Sequence, residues 1–292
     1  MRYLSLILVC LILIGCDKVE DPYEGIRVVS ECAGTISDPN GNDTTEFKSE
    51  SGFAKALIEE YTGHTCKNCP PQAQRLFDWA ENEFEGKLVV LGVHAGNFAE
   101  LVPDEGYVTD LRVPAGYDLQ EKYEGGNSAP SITINRSQNP LTPGKWNTTM
   151  DSLANSSYFT SPRFDISATS IVNKNENKGI VEVRVSALTD IDVENIGLGI
   201  YVSEDSVIAQ QLHRDKGVIP DYAHRHVLRK AITGTFGNSF VTGSFPQDTV
   251  ISQTLCYDLD PIWNADNCSL IFFISNLDNS QLLQAEEMHM IK

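Results

Sequence analysis

Hydrophobic and polar positions follow three regimes along this chain, and each predicts a different kind of element. Residues 4–14 form one short apolar run behind Arg2, closed by Leu13-Ile14-Gly15-Cys16. Between residues 51 and 160 the apolar positions come either in continuous runs or at helical spacing. Residues 53–61 and 87–94 read as strands, because a short unbroken apolar run suits a strand covered on both faces. Between them Ala73, Leu76, Phe77, Ala80 and Phe84 recur at helical spacing, with Glu81, Glu83 and Glu85 opposite. That predicts a helix over 66–84, stopped by Gly86. Strand, helix and parallel strand make a right-handed crossover unit. A helical insert with a helix over 111–123 follows, then a strand over 129–134 entered through Pro130, and a closing helix over 146–156.

Beyond Ser161-Pro162 the pattern changes. The runs 163–172, 179–188, 196–203, 206–212, 227–233, 249–255, 269–274 and 282–288 are short, and turn-forming stretches such as Asn173-Lys174-Asn175-Glu176-Asn177 separate them. Seven or eight strands over about 130 residues predict an immunoglobulin-like antiparallel β-sandwich. The fold class is thus α/β plus all-β. The chain divides into a leader (1–15), an acidic tether with one strand-like stretch at 26–29 (16–50), an α/β domain (51–160) and a sandwich (161–292).

The leader has the form of a lipoprotein signal peptide, and its apolar run falls short of the roughly 20 residues of a membrane-spanning helix. Cleavage before Cys16 and acylation of that cysteine are expected, with several acyl chains giving stable attachment to a membrane. Such a protein works in the envelope, where disulfides persist. The net charge of −18 becomes −19 once Arg2 leaves with the leader. A surface of that sign repels phosphate backbones, which excludes nucleic acid as a partner. Gly-x-Ser-x-Gly, phosphate-loop and His-Glu-x-x-His motifs are all absent, so hydrolase and nucleotide-using roles have no support. No cofactor is implied.

The chemistry concentrates at Cys66-Lys67-Asn68-Cys69-Pro70, where a predicted strand gives way to a predicted helix. Two-residue spacing lets the sulfurs bond across the first helical turn. Unpaired N–H groups and the helix dipole there favour a thiolate. A Cys-x-x-Cys pair in a strand-helix-strand setting reads as a thioredoxin-like redox motif. Cys66 is then the attacking sulfur and Cys69 the resolving one. Glu60 shares a strand face with Ala56 and Ile58, where a buried carboxylate would accept the proton of the resolving thiol. The other reading is that Glu59 or Glu60 faces solvent at the strand end. Pro130, if cis and beside the dithiol, would present the backbone of Ala129 to an incoming extended chain. Of the remaining cysteines, Cys256 and Cys268 flank eleven residues and are expected to form a structural bridge, which leaves Cys32 without an assigned partner.

The run from Leu57 to Pro70, Leu-Ile-Glu-Glu-Tyr-Thr-Gly-His-Thr-Cys-Lys-Asn-Cys-Pro, resembles the signature of the outer membrane protein twenty-eight family of Bacteroidetes. The resemblance continues at Val93-His94, at Pro130 with Ile134-Asn135-Arg136, and from Asp221 to Arg229, and spans about residues 50–290. It implies a thioredoxin-like domain followed by a β-sandwich, in an outer-membrane or surface lipoprotein; it does not imply a particular reaction. On the redox reading the partners are cysteine-containing envelope proteins. A second reading is a non-catalytic surface or adhesion protein that uses the fold as a scaffold for a surface ligand. A third is a metal-binding envelope protein using Cys66, Cys69, His64 and His94. His224 and His226 would face one side if their stretch is a strand, which suits a metal or simply a polar edge.

Overall fold

The computed structural model describes residues 32, 34–49, 52–123, 128–136 and 139–292. The leader, Cys16 and the stretch 26–29 lie outside the described residues. Among the described residues, fourteen strands and three α-helices follow in chain order: β1 (Asn42–Lys48), β2 (Ala56–Thr62), α1 (Cys69–Asp78), β3 (Leu88–His94), α2 (Pro114–Tyr123), β4 (Ser131–Ile134), α3 (Pro143–Ala154), β5 (Phe164–Asn173), β6 (Lys178–Ala187), β7 (Asn195–Glu204), β8 (Val207–His213), β9 (Gly217–His224), β10 (Val227–Ala231), β11 (Asn238–Thr242), β12 (Val250–Asp258), β13 (Cys268–Asn276) and β14 (Leu282–His289). The described residues are mostly β with some helices, in several sheets that form no closed barrel among them.

The largest sheet runs β14-β13-β7-β10-β3-β2-β4, with β11 paired to β7. Strands from both sides of residue 160 therefore share one sheet. The join is short: β10 pairs in parallel with β3 at Val227 and Gly92 and antiparallel with β7. At the other end β2 pairs parallel with β3 and antiparallel with β4. Alternation sorts the side chains of β2 and β3 onto two covered faces. Ala56, Ile58, Leu88 and Val90 pack under α1 and α3 against Leu76, Phe77 and Trp146. Leu57, Tyr61, Val89, Leu91 and Val93 pack under α2 and also meet Tyr201, Ile271 and Phe273 from the second half. Both faces being covered explains why these strands read as unbroken apolar runs.

A second sheet, β1-β5-β6-β12, faces β7 and β13 across a core built on Ile166, Val181, Val183, Ile200, Leu270 and Phe272. Its strands alternate, as in β5, where buried and half-buried residues follow each other along nearly the whole strand. β8 and β9 form a separate two-stranded hairpin. Pro220 lies within β9; a proline lacks the N–H for an interior ladder, and the outer strand of a hairpin tolerates it.

Three expectations need correction. The first helix begins at Cys69 rather than Cys66, because Pro70 and Pro71 lack N–H groups and belong in a first turn. Cys256 and Cys268 are not bridged. Tyr257 is in the sandwich core, so its neighbour Cys256 points out of the other face of β12, whereas Cys268 lies inside that core with its thiol directed at the Asn264 carbonyl. His224 and His226 do not share a strand face either. β9 ends at His224, and His226 sits in the left-handed region at φ 49°.

A candidate dithiol site

β2 delivers the chain to the site and α1 begins it. Cys66 and Cys69 are joined by a disulfide with their Cα atoms 5.4 Å apart. The Cys69 N–H donates to the Cys66 carbonyl at 3.1 Å, which closes the turn into the helix. Lys67 and Asn68 are exposed, whereas Cys66 retains 3% of its surface and Cys69 1%.

The cover comes from two directions. Gly63 lies against the backbone of Phe98 and Ala99, where a Cβ would come within 2.3 Å of Phe98. On the other side β8 and the turn after it lie along the loop. The Leu212 N–H donates to the His64 carbonyl at 2.8 Å and the Arg214 N–H to the Lys67 carbonyl at 2.9 Å. The buried Gln211 amide donates to the Cys66 carbonyl at 3.1 Å. Ala129 and Pro130, whose peptide bond is cis, line an open cleft beside the loop together with Asn68, Gln72, Pro143 and Arg214.

Behind the disulfide, Glu60 and Cys69 line one small pocket of about 20 Å³, the room one water molecule needs. Glu60 is 2% exposed, so the solvent-facing alternative fails. Its Oε1 has no hydrogen-bond partner among the described residues. Burial pushes its carboxyl up from the ordinary 4.5 to about 8, so at neutral pH it is mostly protonated. His94 and His224 line the same pocket. Gly92 makes room for them: the Gly92 N–H donates to the His226 carbonyl at 2.8 Å, and a Cβ there would stand 3.2 Å from the Arg225 carbonyl oxygen. That close approach sets His224 over β3.

Glu59 points to the opposite face and has a different task. Arg136 Nη2 donates to Glu59 Oε1 at 2.6 Å, and Thr133 donates to Oε2 at 2.9 Å. The guanidinium also donates to the Tyr201 hydroxyl at 2.8 Å and lies over the Phe273 ring at 4.7 Å. Asn135 fixes the approach, its Oδ1 accepting the Leu57 N–H at 2.9 Å. Ile134-Asn135-Arg136 thus fastens β4 to β2 and carries a buried ion pair into the seam between the two halves. His64, a candidate metal ligand by sequence, has its Nε2 against the Glu100 carbonyl at 2.8 Å and stacks on Tyr107. No group of three or more His, Cys, Asp or Glu side chains among the described residues is arranged to hold a metal ion.

The site therefore brings Cys66, Cys69, Glu60 and Pro130 into one region. Sequence reasoning missed Gln211, Tyr222 and the pairing of His94 with His224, which come from residues more than a hundred positions away. A glycine interrupting the apolar strand at Gly92 was the available signal for close backbone approach.

Together the sheets, helices and bridged cysteine pair define a mixed, mostly-β protein built around a sulfur-bearing strand-to-helix turn. The family model for outer membrane protein Omp28 matches residues 118–290, more than half of the chain, and the chain belongs to that family of outer membrane proteins. No curated protein matches it. HBP35 of Porphyromonas gingivalis is 12% identical and superposes with a TM-score of 0.57, covering 83% of this chain and 77% of that one. At that identity the likeness is one of fold alone. A domain of the outer membrane lipoprotein Omp28 from the same organism is 17% identical over 44% of this chain and 89% of its own, with a TM-score of 0.30.

Proposed function

We propose that this chain is an outer-membrane lipoprotein, anchored through Cys16, with thioredoxin-like thiol-disulfide oxidoreductase chemistry directed at cysteine-containing envelope proteins. The observation that carries this reading is the buried carboxyl of Glu60 in the pocket that Cys69 lines, its Oε1 without a hydrogen-bond partner among the described residues. A thioredoxin-like unit over 51–160 is supported by the parallel β2–β3 pair joined through α1 and by β4 antiparallel to β2. An immunoglobulin-like sandwich over 161–292 is supported by the two antiparallel sheets facing one core.

In the reducing direction the Cys66 thiolate attacks a disulfide of the partner, forming a mixed disulfide and releasing one partner thiolate. Cys69 then gives its proton to Glu60, directly or through one water. The resulting thiolate attacks the Cys66 sulfur, reforms the bridge and releases the second partner sulfur. Oxidation of a partner dithiol runs the same steps backwards. The cleft at Ala129 is where an extended partner chain lies alongside the sulfurs.

A second reading, a displayed binding scaffold with a structural bridge, is favoured by the near-complete burial of both sulfurs. One experiment separates the two. The full chain is assayed for acceleration of insulin reduction by dithiothreitol, next to Cys66→Ala, Cys69→Ala and the double variant. The redox reading expects acceleration by wild type only, and mixed disulfides accumulating on Cys69→Ala. Equal rates for wild type and the double variant, with nothing trapped, leave the scaffold.

A further inference from the structure

Two buried imidazoles stand in the pocket behind the bridge without a part in the steps above. His94 Nε2 lies 3.4 Å from His224 Nδ1, with the rings edge-on at 5.2 Å between centroids. The outer nitrogens, His94 Nδ1 and His224 Nε2, are buried and without hydrogen-bond partners among the described residues, as is Glu60 Oε1. Buried polar atoms are almost always paired, and three unpaired ones in a pocket that can hold one water need an explanation.

We propose that His94 and His224 relay protons between Glu60 and solvent as the Cys66–Cys69 bond forms and opens. This rests on the redox reading of the site. A neutral imidazole has one donor nitrogen and one acceptor nitrogen. A single hydrogen bond between two of them therefore leaves one outer nitrogen accepting and the other donating. A proton entering at the accepting end displaces one from the donating end, and both rings end in the opposite tautomer. Charge never has to rest on either ring. Burial holds both imidazoles neutral: it takes His94 well below its ordinary value, with His224 and Arg229 acting in the same direction, and it takes His224 to about 4 although the backbone of Ala209 and Gln210 acts the other way. The other titratable or charged groups on this pocket are Cys69 of α1 and Tyr222 and Arg225 at the end of the hairpin.

The need arises from Glu60 itself. A carboxyl protonated at neutral pH can take the Cys69 proton only after losing its own, and with Glu60 2% exposed the route for that proton is the pocket that the two imidazoles line. The net reaction is balanced without the relay: the dithiol and a partner disulfide become the bridge and two partner thiols. The imidazoles move the Cys69 proton outward, where a released partner thiolate takes it up.

The test uses the full chain, reduced, in single turnover with 5,5′-dithiobis(2-nitrobenzoate) at pH 7. The first phase is attack by Cys66 and the second is resolution by Cys69. His94→Gln and His224→Gln are expected to slow resolution by about tenfold or more, with attack unchanged and added imidazole restoring the rate. Resolution at the wild-type rate in both variants, with Glu60→Gln slow, overturns the relay and leaves the redox reading standing. Wild-type resolution in Glu60→Gln as well overturns the relay and the proton-acceptor role of Glu60 together, while the insulin assay on the cysteine variants decides the redox reading separately. A solvent isotope inventory on wild type needs no variant to fold: a curved dependence on deuterium fraction supports several protons in flight, and a straight line overturns the relay.

Discussion

Replacing Glu60 by Gln converts the burial of one carboxyl into a measurable stability curve. The folded protein raises this group from 4.5 to about 8 through burial. A folded-state value above the unfolded one means that stability is full below about pH 4.5 and is lost as the pH rises through about 8. Each pH unit across that window is worth about 1.36 kcal/mol, so the ionised carboxylate costs the fold roughly 5 kcal/mol above pH 8, with roughly 3 kcal/mol already gone at pH 7. The amide of Glu60→Gln cannot ionise, so the variant is free of this penalty. The offset at low pH reflects only amide against acid, so the informative quantity is how the difference between the two proteins changes with pH. Guanidinium unfolding with the bridge intact, followed by tryptophan fluorescence at pH 4, 6 and 8.5, reads it directly. The variant is expected to gain on wild type across the series by several kcal/mol. Two curves that stay parallel would refute the placement of a buried, raised Glu60 carboxyl beneath Cys69.

Three further outcomes are expected. Arg136→Met leaves Glu59 as a buried unpaired charge and is expected to cost roughly 3–5 kcal/mol, much of which Glu59→Gln in the same chain restores; denaturant midpoints check both. Gly92→Ala brings a Cβ to 3.2 Å from the Arg225 carbonyl oxygen, so it is expected to destabilise by roughly 1–3 kcal/mol and to disturb the ring signals of His224 in a proton spectrum. Alkylation followed by non-reducing peptide mapping is expected to find Cys66 joined to Cys69, Cys256 labelled readily, and Cys268 labelled only on unfolding, since burial pushes that thiol up to about 12.

The parts of the fold that showed in the sequence are those whose burial is uniform along the element. β2 and β3 are buried along nearly their whole length, and their apolar runs marked them within a few residues. The position of Glu60 on the face of Ala56 and Ile58 followed from strand alternation alone. That both faces are covered did not, because the cover over Glu59 comes from α2 and from Tyr201 and Phe273 in the other half. β9 was missed for a different reason. Most of its residues are exposed, it contains Pro220, and its strand geometry comes from pairing with β8 rather than from any period of its own. β1 and β11 are polar edge strands set by their neighbours in the same way. The roof over the dithiol and the imidazole pair join residues 145 and 130 positions apart, and contacts at that range leave no local pattern. The bridge expected between Cys256 and Cys268 failed because spacing says nothing about which face of a strand a cysteine occupies.

The most direct test of the dithiol chemistry is the redox equilibrium of Cys66 and Cys69 in the intact chain, measured in graded glutathione buffers with acid quench, alkylation and mass analysis. The expected result is a reversible two-electron transition between about −120 and −270 mV, the span of dithiol enzymes. A bridge still closed below roughly −300 mV, as structural disulfides are, would contradict a catalytic role.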